Sequence, residues 1–265
     1  MGVSTKNVVL VGDQMQLSQP IQGAHPGGSG VSGLGHLLGD LATVPPDRGI
    51  FLGITWRIHP DICRFISDAI YDGRLQSDRS TFQQRINVAA GDDDALAPTG
   101  IRFVSVDHAG HAQKSPPEAD RLKRAFTALL GKEWINQDGE RKVIGLDDVL
   151  VVSPYNMQVN HLREILPKGA RVGTVDKFQG QEAAVVLISM TTSSGEEMPR
   201  NIEFLYSRNR LNVAISRARC LSIVFASPRL LEIPCNTIDQ MQLVNTLCWA
   251  KHYSDQCADR LIRKI

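Results

Sequence analysis

Gln16, Arg57, Glu182 and Arg217 are the side chains of this chain whose types and settings suit phosphate chemistry. Arg57 stands just before His59-Pro60-Asp61, where proline at a first helical position loses nothing by lacking an N–H. A guanidinium at such a helix entry can project into a cleft and meet a phosphate with two parallel hydrogen bonds, which lysine cannot make. Otherwise it is a solvated surface arginine. Gln16 follows the apolar run Asn7 to Gly12 (NVVLVG) and the turn Asp13-Gln14, so its amide offers donor and acceptor past a strand's carboxyl end, where open α/β sheets bind ligands. Glu182 comes just after Gly180 and leads into the run Ala184 to Met190, where a loop re-enters a sheet. On a helical wheel of about 100° per residue, Leu211, Ala214, Ile215 and Ala218 share one face, Arg210 and Arg217 one flank, and Arg208 and Arg219 the other. Arg217 and Arg219 are then expected not to reach the same phosphate.

These residues need a scaffold, and the hydrophobic pattern supplies one. Strand-length apolar runs occur at Asn7–Gly12, Ile101–Val106, Val149–Ser153, Arg171–Val175, Ala184–Met190 and Leu221–Ala226. Helical spacing occupies Pro60–Tyr71, Glu118–Leu130, Met157–Leu166 and Asn209–Arg219, and a mixed helix is expected over Ile238–Arg263 with Trp249 and Tyr253 on one core-facing side. Strands alternating with helices imply a parallel sheet covered on both faces. Two stretches break the rhythm: the glycine-rich Gly23–Gly35, expected to be a loop, and the acidic Gly91–Gly100, expected to be a solvated connection. The phosphate-loop pattern GxxxxGK[ST] occurs nowhere in the chain.

Composition narrows the class. With 29 basic and 28 acidic side chains there is no broad field to attract nucleic acid, so any such surface must be local. Five scattered cysteines show no zinc spacing and read as reduced thiols of a cytoplasmic protein. No apolar run is long enough for a bilayer, so no membrane partner is expected. His25, His36, His108, His111 and His161 lack metal spacing or a nucleophile partner, and no Ser/His/Asp arrangement or carboxylate cluster suggests a nuclease centre.

Five segments occur in a fixed order: Val11–Pro20 (VGDQMQLSQP), Thr55–Pro60 (TWRIHP), Ser153–Gln158 (SPYNMQ), Gly173–Glu182 (GTVDKFQGQE) and Arg210–Arg219 (RLNVAISRAR). In these segments the chain resembles superfamily 1 helicases, particularly the Dna2-like and nonsense-mediated-decay group; they are similar to that family's motif III, its YRMHP signature, and motifs IV, V and VI. Trp56 and Ile58 depart from the signature's Tyr and Met.

The resemblance implies an α/β P-loop NTPase fold of RecA type, with residues 1–50 ending a first RecA-like domain and 51–265 forming a second, a possible insert lying at 72–118. It implies that Gln16 senses the γ-phosphate, Arg57 contacts phosphate, Arg217 is the arginine finger, and Glu182, after Gly180, accepts a hydrogen bond from the ribose. Ser153, Tyr155, Thr174, Lys177 and Gln179 would line the strand-binding surface. Motifs I, Ia and II lie upstream of motif III in the family, so ATP and Mg2+ would be held jointly with an upstream RecA-like domain, and this chain alone is expected not to hydrolyse ATP. DNA is the preferred single-stranded partner, RNA the alternative, 5′ to 3′ the implied direction, and a RecB-like nuclease domain a further companion. The competing reading is a non-catalytic module that binds nucleic acid or a protein.

Overall fold

The computed structural model describes residues 6–17 and 26–262. Ser18, Gln19 and Pro20 of the first segment, and Gly23 to His25 of the glycine-rich stretch, lie outside them. In chain order the strands are β1 (Ile54–Thr55), β2 (Gln76–Ser77), β3 (Arg85–Ile86), β4 (Gly100–Ser105), β5 (Glu133–Ile135), β6 (Arg141–Val143), β7 (Val149–Val152), β8 (Arg171–Gly173), β9 (Ala183–Ser189) and β10 (Ala218–Ala226). The helices are α1 (Gly33–Leu38), α2 (Pro60–Ile70), α3 (Pro116–Leu129), α4 (Asn156–Ile165), α5 (Ile202–Leu205), α6 (Arg208–Ser216) and α7 (Ile238–Ile262).

Five strands in the order β4-β10-β9-β7-β8 form the main sheet, and every neighbouring pair is parallel. Side chains alternate across it. Leu150, Val152, Val186, Ile188, Val224 and Ala226 pack toward α2, α6 and α7, whereas Val149, Val151, Val185, Leu187, Ile223 and Phe225 pack toward α3 and α4. Burial on both faces is why these strands read as continuous apolar runs. The four expected helices and the five expected strands after residue 100 are all present within a few residues. α2 starts where proline allows it, with Pro60 in its first turn and the His59 ring accepting from Asp61 N. Trp249 and Tyr253 do share one side of α7, their rings 6.3 Å apart, and Tyr253 meets Phe65 edge-on at 5.7 Å.

Several expectations differ from the structure. Asn7–Gly12 forms no strand, and Val9 and Val11 are 86% and 90% exposed, because no neighbouring strand among the described residues offers a ladder. The glycine-rich stretch is not all loop: α1 begins inside it, capped by Ser32 accepting from Gly35 N. Within residues 72–118, β4 is an edge strand of the main sheet and β3 joins β5 and β6 in a small antiparallel sheet. Gly91–Gly100 is recruited rather than solvated: Asp93 and Asp94 pair with Arg121 of α3, Asp92 with Lys132, and Ala95 and Ala97 are buried. None of the five cysteines is in a disulfide. No helix among the described residues is long and apolar enough to cross a membrane.

A buried polar network closes the carboxyl end of the sheet, and it contains the Ser/His/acid chain that sequence reading did not find. Ser193 Oγ lies 2.7 Å from His108 Nδ1, and His108 Nε2 lies 2.9 Å from Glu118 Oε1. Glu118 Oε2 accepts from the Ser189 hydroxyl at 2.6 Å and from Thr191 N at 2.7 Å. Both His108 and Glu118 are shut off from solvent, so the chain is a clamp and not a nucleophile. Its partners are 10 and 85 residues apart in sequence, with no local pattern to betray them. The clamp holds Thr191 at φ 75°, a conformation that costs a β-branched residue about 1–2 kcal/mol. Glu118→Ala would strand the Ser189 hydroxyl, Thr191 N–H and His108 without their acceptor. Urea unfolding should therefore register a loss of about 3 kcal/mol or more; a change below about 1 kcal/mol would show that the network carries little.

Candidate functional site

Three segments distant in sequence are zipped together at the amino ends of β9 and β10. His59 N donates to Arg219 O at 2.9 Å, and Ala183 N donates to Arg217 O at 3.0 Å. Gln84 Nε2 fixes Arg57 O at 2.7 Å. Gly180 makes the approach possible: at φ 79° it turns the chain from the 3-10 turn Val175–Phe178 into β9, a conformation that L side chains rarely adopt. Its contribution is through the backbone.

This framework brings two guanidinium groups to one carboxylate and a third beside them. Arg57 Nε donates to Glu182 Oε2 at 2.5 Å, and Arg219 forms an ion pair with Glu182 Oε1. Arg217 caps the carboxyl end of α6 and is only 3% exposed, its Nε donating to Val213 O at 3.1 Å and its Nη1 to Gln181 O at 3.3 Å. Burial pushes the Glu182 carboxyl up, but the hydrogen bond and charge of Arg219, joined by Arg57, outweigh it and hold the group below the usual glutamate value. Burial first, then the charge of Arg57, lowers the Arg217 guanidinium from its ordinary value. Positive charge is in excess here, and an anion would relieve it.

The helical-wheel expectation for Arg219 is corrected. α6 ends at Ser216, and β10 has begun by Ala218, so Arg219 is on a strand. A register shift between Ala218 and Leu221 marks a β-bulge, the device that re-aims a side chain, and it turns Arg219 onto Glu182. Arg217 and Arg219 thus flank the same site. Glu182 is occupied at both oxygens, so holding the arginines is its work in this structure.

α6 also grips the Gln16 turn. Asn209 Nδ2 donates to Gln14 O and Gln16 O at 3.0 and 2.7 Å, and Asn212 Nδ2 donates to Met15 O at 2.9 Å. Gln16 Nε2 donates to Asp13 Oδ2 at 2.8 Å, as does the Tyr71 hydroxyl at 2.6 Å, while Asn212 Nδ2 also donates to the Tyr71 oxygen at 2.9 Å. Burial and then the Asp13 charge raise the Tyr71 phenol far above its usual value, so it stays a donor. Asn209, Asn212 and Tyr71 were missed in sequence; the asparagines' three-residue spacing on one helix was the available signal. Beside them opens a cleft of about 1030 Å³ lined by Gln16, Trp56, Arg57, Glu182 and Arg217. Its carboxylates, Asp13 and Glu182, are both engaged, and no group of three potential metal ligands occurs among the described residues. The described residues lining this cleft do not by themselves fit a Mg2+ site.

The strand-binding expectations divide. Ser153 is fully buried, its hydroxyl 3.0 Å from Thr191 Oγ1, and Tyr155 is buried with its hydroxyl 3.4 Å from Thr192 Oγ1. Ser153 lies beneath the surface, where the 191–193 loop covers the carboxyl end of β7, whereas Tyr155, though mostly buried, lines the concavity that Thr174 shares. Lys177 and Gln179 are exposed and Thr174 half-exposed around the 3-10 turn. Thr174 joins Asn156, Asp176, Arg200, Phe204 and Arg210 in a concavity of about 290 Å³.

A parallel sheet covered on both faces, with an arginine cluster beside a large cleft, defines a P-loop NTPase fold of RecA type. Residues 36–229 match the AAA domain family, and the chain belongs to that family. It is 30% identical over 266 residues to "DNA polymerase alpha-associated DNA helicase A" of Schizosaccharomyces pombe, a match covering 96% of this chain and 36% of that protein. It is 25% identical to "Uncharacterized ATP-dependent helicase MJ0104" of Methanocaldococcus jannaschii, covering 83% of this chain and 32% of the relative. It is 27% identical to "Regulator of nonsense transcripts 1 homolog" of Arabidopsis thaliana, covering 87% of this chain and 18% of the relative. The chain therefore spans little more than a third of the length of these relatives, or less.

The arginine cluster makes a pH prediction. Because the folded Glu182 carboxyl lies below the unfolded value of about 4.3, its stabilisation is present above that pH and is lost as pH falls through the folded value. Glu182→Gln should be less stable than wild type at pH 7, and the gap should narrow on acidification below about pH 4. Equal gaps in urea unfolding at both pH values would deny the carboxylate this role.

Proposed function

We propose that the chain is the second RecA-like motor domain of an ATP-dependent helicase, supplying the arginine side of an ATP site shared with an upstream RecA-like domain. One observation carries the reading: Arg57 and Arg219 share the Glu182 carboxylate, and the buried Arg217 stands beside them on backbone carbonyls at the edge of the large cleft. Such a cluster, rich in positive charge and partly dry, stabilises the charge that develops on a transferring phosphoryl group. Arg217 is the arginine finger, since it is the most buried of the three and is held by backbone carbonyls in place of a carboxylate. Arg57 exchanges the Glu182 carboxylate for phosphate as nucleotide arrives. Gln16 reports on the γ-phosphate from a turn that α6 holds. Mg2+ would neutralise phosphate charge, on ligands contributed by the upstream domain.

Support for that upstream partner comes from the apolar side chains exposed about the cleft, among them Val9, Val11, Ile50, Leu52 and Trp56. The other substrate is a single strand of nucleic acid, with DNA preferred and RNA the alternative, held through Thr174, Lys177 and Gln179. A RecB-like nuclease companion belongs to the same reading only through the sequence resemblance. The rival, a non-catalytic binding module, has no use for a buried arginine beside an excess of positive charge, and the cluster favours the motor.

Joined to the domain that carries the phosphate loop, Arg217→Ala should lower ATP turnover by ~10³-fold or more, the scale of a lost arginine finger. Nucleotide affinity should change far less. Arg219→Ala should do less, because it acts through Glu182. By itself the chain should show no turnover above background. A larger loss for Arg219→Ala than for Arg217→Ala would overturn the assignment, and turnover by the chain alone would overturn the shared site.

A further inference from the structure

The concavity beside Thr174 contains a group that none of the five sequence segments accounts for as a unit. Phe204 lies under two guanidinium groups, with the Arg200 Cζ 4.3 Å and the Arg210 Cζ 4.5 Å from its ring centroid. The two cationic centres are therefore at most about 9 Å apart. Their one acidic neighbour in the concavity is Asp176, whose Oδ1 is 3.8 Å from Arg210 Nη2 and whose side chain is 54% exposed. Two like charges stand together with a weak, solvated counter-charge.

The ring that holds them is itself fixed from below. Tyr155 packs against Phe204 at 5.6 Å between centroids, and the Tyr155 hydroxyl reaches Thr192 of the buried clamp. On the other side of α5, Tyr206 is buried and donates to Leu230 O at 2.7 Å, which stops the short helix from rotating. Stacking fixes the planar guanidinium groups before any ligand arrives, so less side-chain entropy is lost on binding. The concavity of about 290 Å³ is at or below the small end of pockets that enclose a whole ligand, and it suits one charged group of a longer molecule.

We propose that Arg200 and Arg210, held by Phe204, form a preassembled clamp for one phosphodiester of a single nucleic-acid strand passing over Thr174 and Asn156. The inference rests on the strand-binding reading above and adds residues to it. Arg200 and Arg210 are the contacts; Phe204 is a positioning residue. The clamp reads phosphate, so DNA and RNA strands both use it and bases do not discriminate.

The test is fluorescence anisotropy with the full chain and two labelled probes, a twenty-nucleotide oligo-dT and an oligo-U of equal length, at several salt concentrations. Arg200→Ala and Arg210→Ala should each weaken binding roughly three- to tenfold and flatten the logarithmic salt slope by about 0.7, the single-strand value for one phosphate contact. Phe204→Leu keeps the packing but frees the arginines, so it should weaken binding while leaving the slope unchanged. Arg200→Lys should restore the slope without restoring full affinity. An unchanged thermal unfolding midpoint in the arginine variants checks that the fold is intact. Strand binding that both arginine variants leave untouched would overturn the clamp alone; a wild-type chain that binds neither probe would overturn the strand-binding reading with it. A slope change in Phe204→Leu equal to that of the arginine variants would remove its positioning role.

Discussion

Glu182 meets Arg57 and Arg219 at its two carboxylate oxygens, and their hydrogen bonds and charge outweigh the burial that would raise its carboxyl. Satisfying one carboxylate with two guanidinium groups requires the entry to α2, the start of β9 and the bulge of β10 to meet at one point. The backbone bonds from His59 to Arg219 and from Ala183 to Arg217 fix the meeting. Arg217 is then left beside like charge with backbone carbonyls as its hydrogen-bond partners. That imbalance is a cost in the isolated chain and, in the function proposed above, would become a source of affinity for phosphate, because a preorganised charge needs no rearrangement.

α6 joins the two ends of the domain. Arg210, in its first turn, faces the concavity at the carboxyl end of the sheet, and Arg217, at its cap, faces the cleft. Two helical turns, about 10 Å, separate them along one flank. Asn209 and Asn212 on the same helix hold the turn that carries Gln16. A small rotation of this one nine-residue element would move Arg217 in the cleft, the Gln16 turn and Arg210 in the concavity together. In a packed interior such an element moves as a unit.

The sheet was legible because burial on both faces writes each strand as an apolar run, and α2 to α4 because their apolar residues recur at helical spacing. Short pieces such as β3 and β6 have two or three residues and carry no period to detect. Arg57, Glu182 and Arg217 were found through motif resemblance, and the structure brings them together. Arg219 was misplaced since a helical wheel presumes the helix continues, and it does not survive the switch to β10 at Ala218. Ser153 has surface-compatible chemistry, yet the 191–193 loop covers it, while Tyr155 lines the concavity beside Thr174. Asn7–Gly12 shows the converse failure: its composition is that of a buried strand, and its exposure depends on a partner that sequence periodicity does not describe.

Binding of inorganic pyrophosphate to the chain, measured by isothermal titration calorimetry at neutral pH and low salt, tests the arginine cluster most directly. The anion should bind weakly but measurably. Arg217→Ala and Arg57→Ala should each weaken it, and Glu182→Gln should strengthen it by removing the competing carboxylate. Affinity that is indifferent to Arg217, or that falls when Glu182 is neutralised, would contradict a phosphate-receiving site built on a shared carboxylate.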